Sequence, residues 1–330
     1  KDYVQVIREY LTPFFETLSD AIPEKLSQFI VSGNEIQTIA SMCNATNSLD
    51  FSIMERTAFT KMYKKAKEKG TEAISMEYDI PQEEVEVLLP SLIVLNRLLK
   101  YTVNDSILLS NVLLSDAVMF EMLFPKEASF VVKAYEEFTL QSATSIAERF
   151  GRDTGHISRV SSVALEIYDK MKKLHGYKLR ERTLLQVSAI LQDIGKYVNV
   201  RNHALLSYNT ITNLDIVGIN DHERLIIATV CYYHNGNIPS MDSPIYNQLS
   251  QEDRVMVSKL AAILQISNAI NTSHSPKFEQ VSVNMKNGKL NIYLTTLKNI
   301  NLEKWAFIAK TKLFREVYGL NATIIKRGVL

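Results

Sequence analysis

The sequence predicts an α+β protein, mostly helical. Three observations carry that prediction. Up to about residue 124, helical runs alternate with short apolar stretches of strand length. From Pro125 to about Phe278, one helical pattern follows another with few strand signals. Beyond that, a hairpin, a helix and a last strand make a small α/β cap. The chain therefore reads as three parts, 1–124, 125–277 and 278–330, the first two being domains and the third a cap. Length alone sets a prior of about two domains, at roughly 150 residues each.

Each element has its reason. Val4, Ile7, Leu11, Phe14, Phe15 and Leu18 recur at helical spacing. Phe29–Val31 reads as a short strand running into Ser32-Gly33-Asn34, with a helix from Glu35 to about Cys43. Ser52 to Lys69 reads as a helix stopped by Gly70, a favourable residue just past a helix end. Pro81-Gln82-Glu83-Glu84 opens the next helix, with proline in the first turn and acids at the positive end. Its apolar face is Leu88, Leu92, Leu95 and Leu99. Ser106–Ser110 reads as a buried strand and Val112–Leu123 as a closing helix. In the cap, Val281–Met285 and Lys289–Leu294 flank an Asn287-Gly288 turn of the hairpin type. Leu302–Tyr318 follows as a helix with Trp305 and Phe314 on its buried side, and the chain closes with a strand near Ala322–Ile325.

Composition sets limits. Hydrophobic residues make up 46% of the chain, enough for a sizeable core. The formal charge is +1, from 37 basic and 36 acidic residues. Such a balance excludes a strong overall field for polyanions, so affinity for one must come from local clusters, and no nucleic-acid partner is expected. Cys43 and Cys231 are far apart, imply no disulfide framework and fit a reducing cytoplasm. No apolar run reaches the roughly 18–20 residues of a membrane span, so no membrane partner is expected.

Four segments of the helical region belong together. Thr154-Gly155-His156 opens a helix with the stripe Ile157, Val160, Ala164, Ile167 and Met171. Gln192-Asp193-Ile194-Gly195-Lys196 ends a helix whose apolar face includes Leu184, Val187, Ile190 and Leu191. Tyr232-Tyr233-His234 ends a third. On a fourth, Val257, Leu260, Leu264, Asn268 and Asn271 follow 3–4 spacing. The two asparagines need hydrogen-bond partners, because an unpaired buried amide costs about 1–3 kcal/mol. Polar groups at the other helix ends are the expected partners.

This order of residues resembles the HD phosphohydrolase pattern, His…(His-Asp)…His…Asp on four packed helices. There, imidazoles and carboxylates hold one or two divalent metals that activate water for attack on phosphorus. The match is damaged. His156, Asp193 and His234 stand at ligand positions, but Gln192 occupies the histidine of the His-Asp pair. Asn268 sits where the distal aspartate belongs, and Asn271 replaces the following acid. A neutral amide is a poor substitute for a carboxylate or imidazole at a divalent cation. The expectation is a hydrogen-bonded polar cluster of His156, Gln192, Asp193, His203, His234, Asn268 and Asn271 that knits helix ends and binds no metal.

Together with the first part of the chain, these segments resemble the exopolyphosphatase/guanosine pentaphosphate phosphohydrolase (Ppx/GppA) family. Ser32-Gly33-Asn34-Glu35 is similar to the Ser-Gly-Gly-Thr turn of the family's second actin-like subdomain, and Leu114-Ser115-Asp116-Ala117 to its closing Asp-Gly motif. Asp193-Ile194-Gly195-Lys196-Tyr197, Arg201-Asn202-His203 and Tyr233-His234 match its helical domain. His203 falls on a family position, with Leu206 in place of the partner histidine. The resemblance implies the C-terminal half of an actin-like (ribonuclease H-like) fold, then an all-α degenerate HD-like domain and the cap.

It also implies the cytoplasmic hydrolysis of a phosphoanhydride, in polyphosphate or guanosine pentaphosphate, by a magnesium-using homodimer. The family's glycine-rich phosphate loops and catalytic glutamate belong to an N-terminal half, and no Asp-x-Gly-Ser or Asp-Ile-Gly-Gly-Gly-Ser run occurs in these 330 residues. The chain, which opens inside an amphipathic helix, is accordingly expected to be the C-terminal part of such an enzyme, with no catalytic residue or bound cofactor of its own. Its share would be polyanion binding and dimerisation. A non-catalytic regulator that binds the same anions through a decayed HD pocket is the alternative. A phosphate-loop remnant is expected at Ser32, Gly33, Asn34, Glu35 and Asp116. Asn34 in place of a glycine restricts backbone approach to an anion there.

Lysines supply the candidate polyanion contacts. Lys64 and Lys65 lie on a basic helix, and Lys172 and Lys173 lie near the HD-like segment. Their ordinary meaning is a solvated face; their sharper one is a strip that attracts a phosphate polymer through counterion release.

Overall fold

The computed structural model describes residues 2–21, 25–47, 51–273, 275–286 and 288–328. The chain divides into two compact units, Lys1–Ser129 and Phe130–Leu330. The architecture is α+β and mostly helical.

The first unit runs α1 (Asp2–Ala21), β1 (Ile30–Val31), α2 (Asn34–Met42), β2 (Thr46–Asn47), β3 (Phe51–Glu55), α3 (Arg56–Tyr78), α4 (Gln82–Leu98), β4 (Ser106–Ser110) and α5 (Leu114–Leu123). Its sheet has the order β1-β4-β3-β2, with β1 parallel to β4 and the other pairs antiparallel. Ile39, Met54, Phe59, Leu92 and Ile107 centre its core.

The stretch read as a helix from Ser52 to Lys69 needs correction at its start. Phe51–Glu55 is a strand, because Ser52 and Met54 point inward while Phe51, Ile53 and Glu55 point out, a period of two. The helix that follows stops at Gly70 as expected, where the backbone is non-helical at φ 81° and ψ 172°, and a second helical stretch of α3 runs on from that kink until the chain turns at Asp79, φ 53°.

The second unit contains α6 (Ser129–Arg149), α7 (Thr154–Lys170), α8 (Lys172–His175), α9 (Leu179–Leu191), α10 (His203–Ile211), α11 (Asp221–Tyr233), α12 (Pro244–Asn247), α13 (Gln251–Ile270), β5 (Gln280–Lys286), β6 (Lys289–Thr295), α14 (Asn301–Tyr318) and β7 (Asn321–Arg327). Strands β5 and β6 form the hairpin, with Lys286 opposite Lys289, and β7 adds parallel to β6. Gly288 of the hairpin turn sits at φ 67°, and Asn287 lies outside the described residues.

One hydrophobic core serves the helices and the three-stranded sheet alike. Val163, Leu191, Ile227 and Leu264 from the helices belong with Val283, Leu290, Ile292, Leu294 and Phe314. Phe314 is fully buried, but Trp305 is 72% exposed, against the sequence expectation. The reason is an inward-facing acid. Glu303, fully buried, pairs with Lys277 at 2.9 Å, so α14 is turned to put Glu303, Ala306 and Phe307 inside and Trp305 and Ile308 outside. Among the described residues no helix is long and apolar enough to cross a membrane.

Candidate functional site

The polar cluster of the second unit is built by three helix ends. Helix α9 buries almost its whole second half, then gives way to a 3-10 turn, Ile194–Tyr197, with Asp193 at the junction. Gly195 lets α10 pack directly on that turn. A methyl group there would stand 2.2 Å from the His203 carbonyl oxygen and 2.5 Å from the Ser207 nitrogen. Ser207, fully buried, locks the contact: the Gly195 N–H donates to Ser207 Oγ at 2.9 Å, and that hydroxyl donates to the Gln192 carbonyl at 2.8 Å. The close approach delivers His203, the first residue of α10, to Asp193.

Helix α11 supplies His234 just past its last turn. Behind it, the Cys231 thiol donates to the Ser188 carbonyl at 3.3 Å, tying α11 to α9. Asp193, His203 and His234 are all buried, at 5%, 6% and 0% exposure. His203 Nε2 and His234 Nε2 are 3.3 Å apart. Asp193 Oδ1 stands 3.6 Å from the first and 3.3 Å from the second. The other carboxylate oxygen, Oδ2, accepts from Lys196 Nζ at 2.7 Å. Burial alone would raise the Asp193 pKa, but the His234 ring and Lys196 beside it hold the carboxyl well below the usual carboxylate range. It is therefore ionised at neutral pH.

A cleft of about 380 Å³ adjoins this cluster, lined among others by Arg152, His156, Gln192, Asp193 and Lys196. The Asp153 side chain caps α7 by accepting from the Gly155 and His156 amides, which places His156 Nε2 4.0 Å from Asp193 Oδ2. Arg152 is loosely held. Its Nη1 and Nη2 make long hydrogen bonds, 3.4 and 3.3 Å, to the carbonyls of Asp193 and Gly151, and its buried Nε donates to none of the described residues. Lys310, reaching over from α14, is near enough to feel both Asp193 and Lys196. Burial holds its pKa below the usual lysine value.

The residues singled out from sequence are thus distributed unevenly. Asp193, His203 and His234 converge, with His156 at the far side of the carboxylate. Gln192 is buried, and its Oε1 accepts no hydrogen bond from the described residues. Asn271 bonds to α7, accepting from Arg159 Nε at 3.4 Å and donating to the His156 carbonyl at 3.5 Å. Asn268 is only half-buried on α13.

In the first unit, Ser32 Oγ donates to the Val112 carbonyl at 3.3 Å and Asp116 caps α5 by accepting from the Leu113 amide. Gly33 sits at φ 149° ahead of α2, and Glu35 lies in its first turn. Lys172 and Lys173 are exposed, as is Lys64, whereas Lys65 is paired with Glu77. Sequence reasoning passed over Arg152 and Lys196 as site residues. The available signal was position: Lys196 lies one turn past Asp193, and Arg152 directly precedes the cap of α7.

The fold and this cluster together define a mostly helical α+β protein with a buried imidazole–carboxylate site beside a cationic cleft. The model for the Ppx/GppA phosphatase family, domain III, matches residues 140–313, more than half of the chain and all of the site. The chain belongs to the Ppx/GppA phosphatase family.

Proposed function

We propose that this chain serves the release of terminal phosphate from polyphosphate or guanosine pentaphosphate by holding the anion, in the cleft between Arg152 and Lys196. The observation that carries this reading is the Arg152 guanidinium, whose buried Nε has no acceptor among the described residues. A buried N–H donor without an acceptor costs about 1–3 kcal/mol, and a phosphate oxygen in the cleft would supply one. A guanidinium also presents a planar fork that matches two phosphate oxygens at once. Lys196 adds a second positive charge, and the exposed Lys172 and Lys173 extend the attraction to the rest of a polymer.

Phosphoryl transfer itself needs backbone amides and charge aimed at the reacting phosphate, and the glycine-rich runs that provide them in this family do not occur in these 330 residues. We read residues 1–124 as the second actin-like subdomain, 125–277 as the degenerate HD-like domain and 278–330 as a small α/β cap of such an enzyme, working as a cytoplasmic homodimer. Binding through the HD-like pocket also suits a regulator, and the cleft beside Asp193 is the observation in its favour.

Two measurements test the proposal. Labelled long-chain polyphosphate should bind the purified protein with an affinity that falls as salt rises, and guanosine pentaphosphate should compete. Arg152→Ala should weaken that binding by about tenfold, or ~1.4 kcal/mol, with an unchanged circular dichroism spectrum. Undiminished binding by this variant would remove the cleft from the argument. A phosphate-release assay with polyphosphate and magnesium should find no turnover by the chain alone, and rapid turnover would show that it carries its own catalytic groups.

A further inference from the structure

We propose that Asp193, His203 and His234 form a binding site for one divalent transition-metal ion, with zinc the best match. Three lone-pair atoms converge, and their separations are 3.3, 3.3 and 3.6 Å. Ligands bound to zinc at about 2.0–2.1 Å in a tetrahedron lie about 3.3–3.4 Å apart. The spacing is that of a tetrahedral edge.

The tautomers agree with it. His203 Nδ1 lies 2.8 Å from the Val200 carbonyl and His234 Nδ1 lies 2.5 Å from the Cys231 carbonyl. A carbonyl only accepts, so each Nδ1 carries a hydrogen, and the two Nε2 atoms are left facing each other and Asp193 Oδ1. Backbone carbonyls commonly hold metal-bound imidazoles in this way. Two ring nitrogens facing each other at 3.3 Å are held together by something positive between them, a metal ion or a shared proton, and the test below separates the two. Asp193 Oδ1 accepts no hydrogen bond from the described residues, while Lys196 engages Oδ2 and so fixes the carboxylate with Oδ1 toward the rings.

The donor set selects the ion. Two imidazoles and one carboxylate suit zinc, cobalt or nickel, whereas magnesium and calcium prefer oxygen alone. Gln192, Asn268 and Asn271, whose amides led the sequence reading to expect no metal, are not among the ligands. The triad takes its third group from His203 instead. Three protein ligands leave one coordination position for water or for an anion. This site stands on its own geometry, whatever the neighbouring cleft binds.

The test is a cobalt(II) titration of untagged, chelator-treated protein, with no polyphosphate present. Cobalt should bind one per chain and give the ligand-field absorption of a low-symmetry nitrogen–oxygen site, and zinc should displace it and raise the melting temperature. His203→Gln, checked for folding by circular dichroism, should bind at least about a hundredfold more weakly, because losing a ligand costs more than the roughly 10–100-fold lost with a supporting group. His222→Ala, which removes a histidine paired with Asp253 outside the site, should bind as the parent does. Absence of a one-to-one cobalt complex in the folded parent protein would overturn the proposal, as would undiminished binding by His203→Gln. An imidazolium signal from His203 or His234 near neutral pH in the presence of zinc would overturn it too, because a shared proton would then fill the place assigned to the ion.

Discussion

Replacing Gly195 with alanine should break the junction on which the whole polar cluster is assembled. The added methyl would meet the His203 carbonyl oxygen at 2.2 Å, the Ser207 nitrogen at 2.5 Å and Leu206 Cβ at 2.9 Å. Two of these are backbone atoms of a packed helix, so α10 itself must retreat by about 1 Å to restore ordinary contact distances. Forcing such a shift costs about 1–3 kcal/mol as overpacking. The retreat also stretches both hydrogen bonds through the buried Ser207 hydroxyl, at about 1 kcal/mol or more each.

The total is about 3–5 kcal/mol. Urea unfolding followed by circular dichroism should therefore show the midpoint of the second unit falling by about 1.5–2.5 M, for a slope near 2 kcal/mol per molar. Because His203 rides on α10, cobalt affinity should fall with it. A midpoint lowered by less than about 0.5 M would refute the reasoning, since it would mean that α10 can move away without losing what it packs against.

Two further outcomes follow from the second unit. Arg180 donates to both oxygens of Glu223, to Glu136 and to the Gly218 carbonyl, and both acids are mostly buried. Arg180→Met should cost about 2–3 kcal/mol, because two carboxylates lose their cation while the arginine itself was partly solvated, and a Glu136→Gln/Glu223→Gln background should recover part of that loss in urea melts. His175 is buried with Nε2 against the Tyr168 carbonyl and Nδ1 accepting from the Tyr177 amide. Burial first, with Lys259 adding, holds its pKa below the ordinary histidine value. The unfolded chain then takes up a proton near pH 6.5 that the folded chain refuses, so this part of the stability is present above that pH and lost as pH falls through it. His175→Gln should lessen the fall in stability between pH 7 and 5.5 by up to about 1.4 kcal/mol per pH unit, measured as urea midpoints across that range.

Much of this was legible in the sequence, for identifiable reasons. The stripe Val160, Ala164, Ile167 and Met171 has the period of a buried helix face, and all four residues are fully buried. Turn chemistry at Gly288 and the flanking alternation marked the β5–β6 hairpin. The reading went astray where a local signal had a tertiary competitor. Phe51–Glu55 is too short for periodicity to separate strand from helix, and only pairing with β4 decides it. Trp305 lies outside because a buried ion pair, Glu303 with Lys277, set the rotation of α14. Asp193 and His234 stood out as titratable residues at helix ends. His203 was grouped with them through its resemblance to a family position, while the contact itself is made by the close packing at Gly195, a distance that no spacing in the sequence encodes. Arg152 and Lys196 escaped notice because lysines and arginines are usually surface residues, and only the cleft distinguishes these two.

The two cysteines, set down at the start as evidence against a disulfide, have a practical consequence. Cys43 lies in the core of the first compact unit and Cys231 in that of the second. Burial pushes the Cys43 thiol up to about 11 and the Cys231 thiol well above its ordinary value, so neither offers a reactive thiolate while its surroundings are closed. A thiol reagent under native conditions can label each one only during an opening of the unit that encloses it. Nature has thus placed one chemical clock in each half of the molecule, and reading the two rates side by side would report which half lets go first.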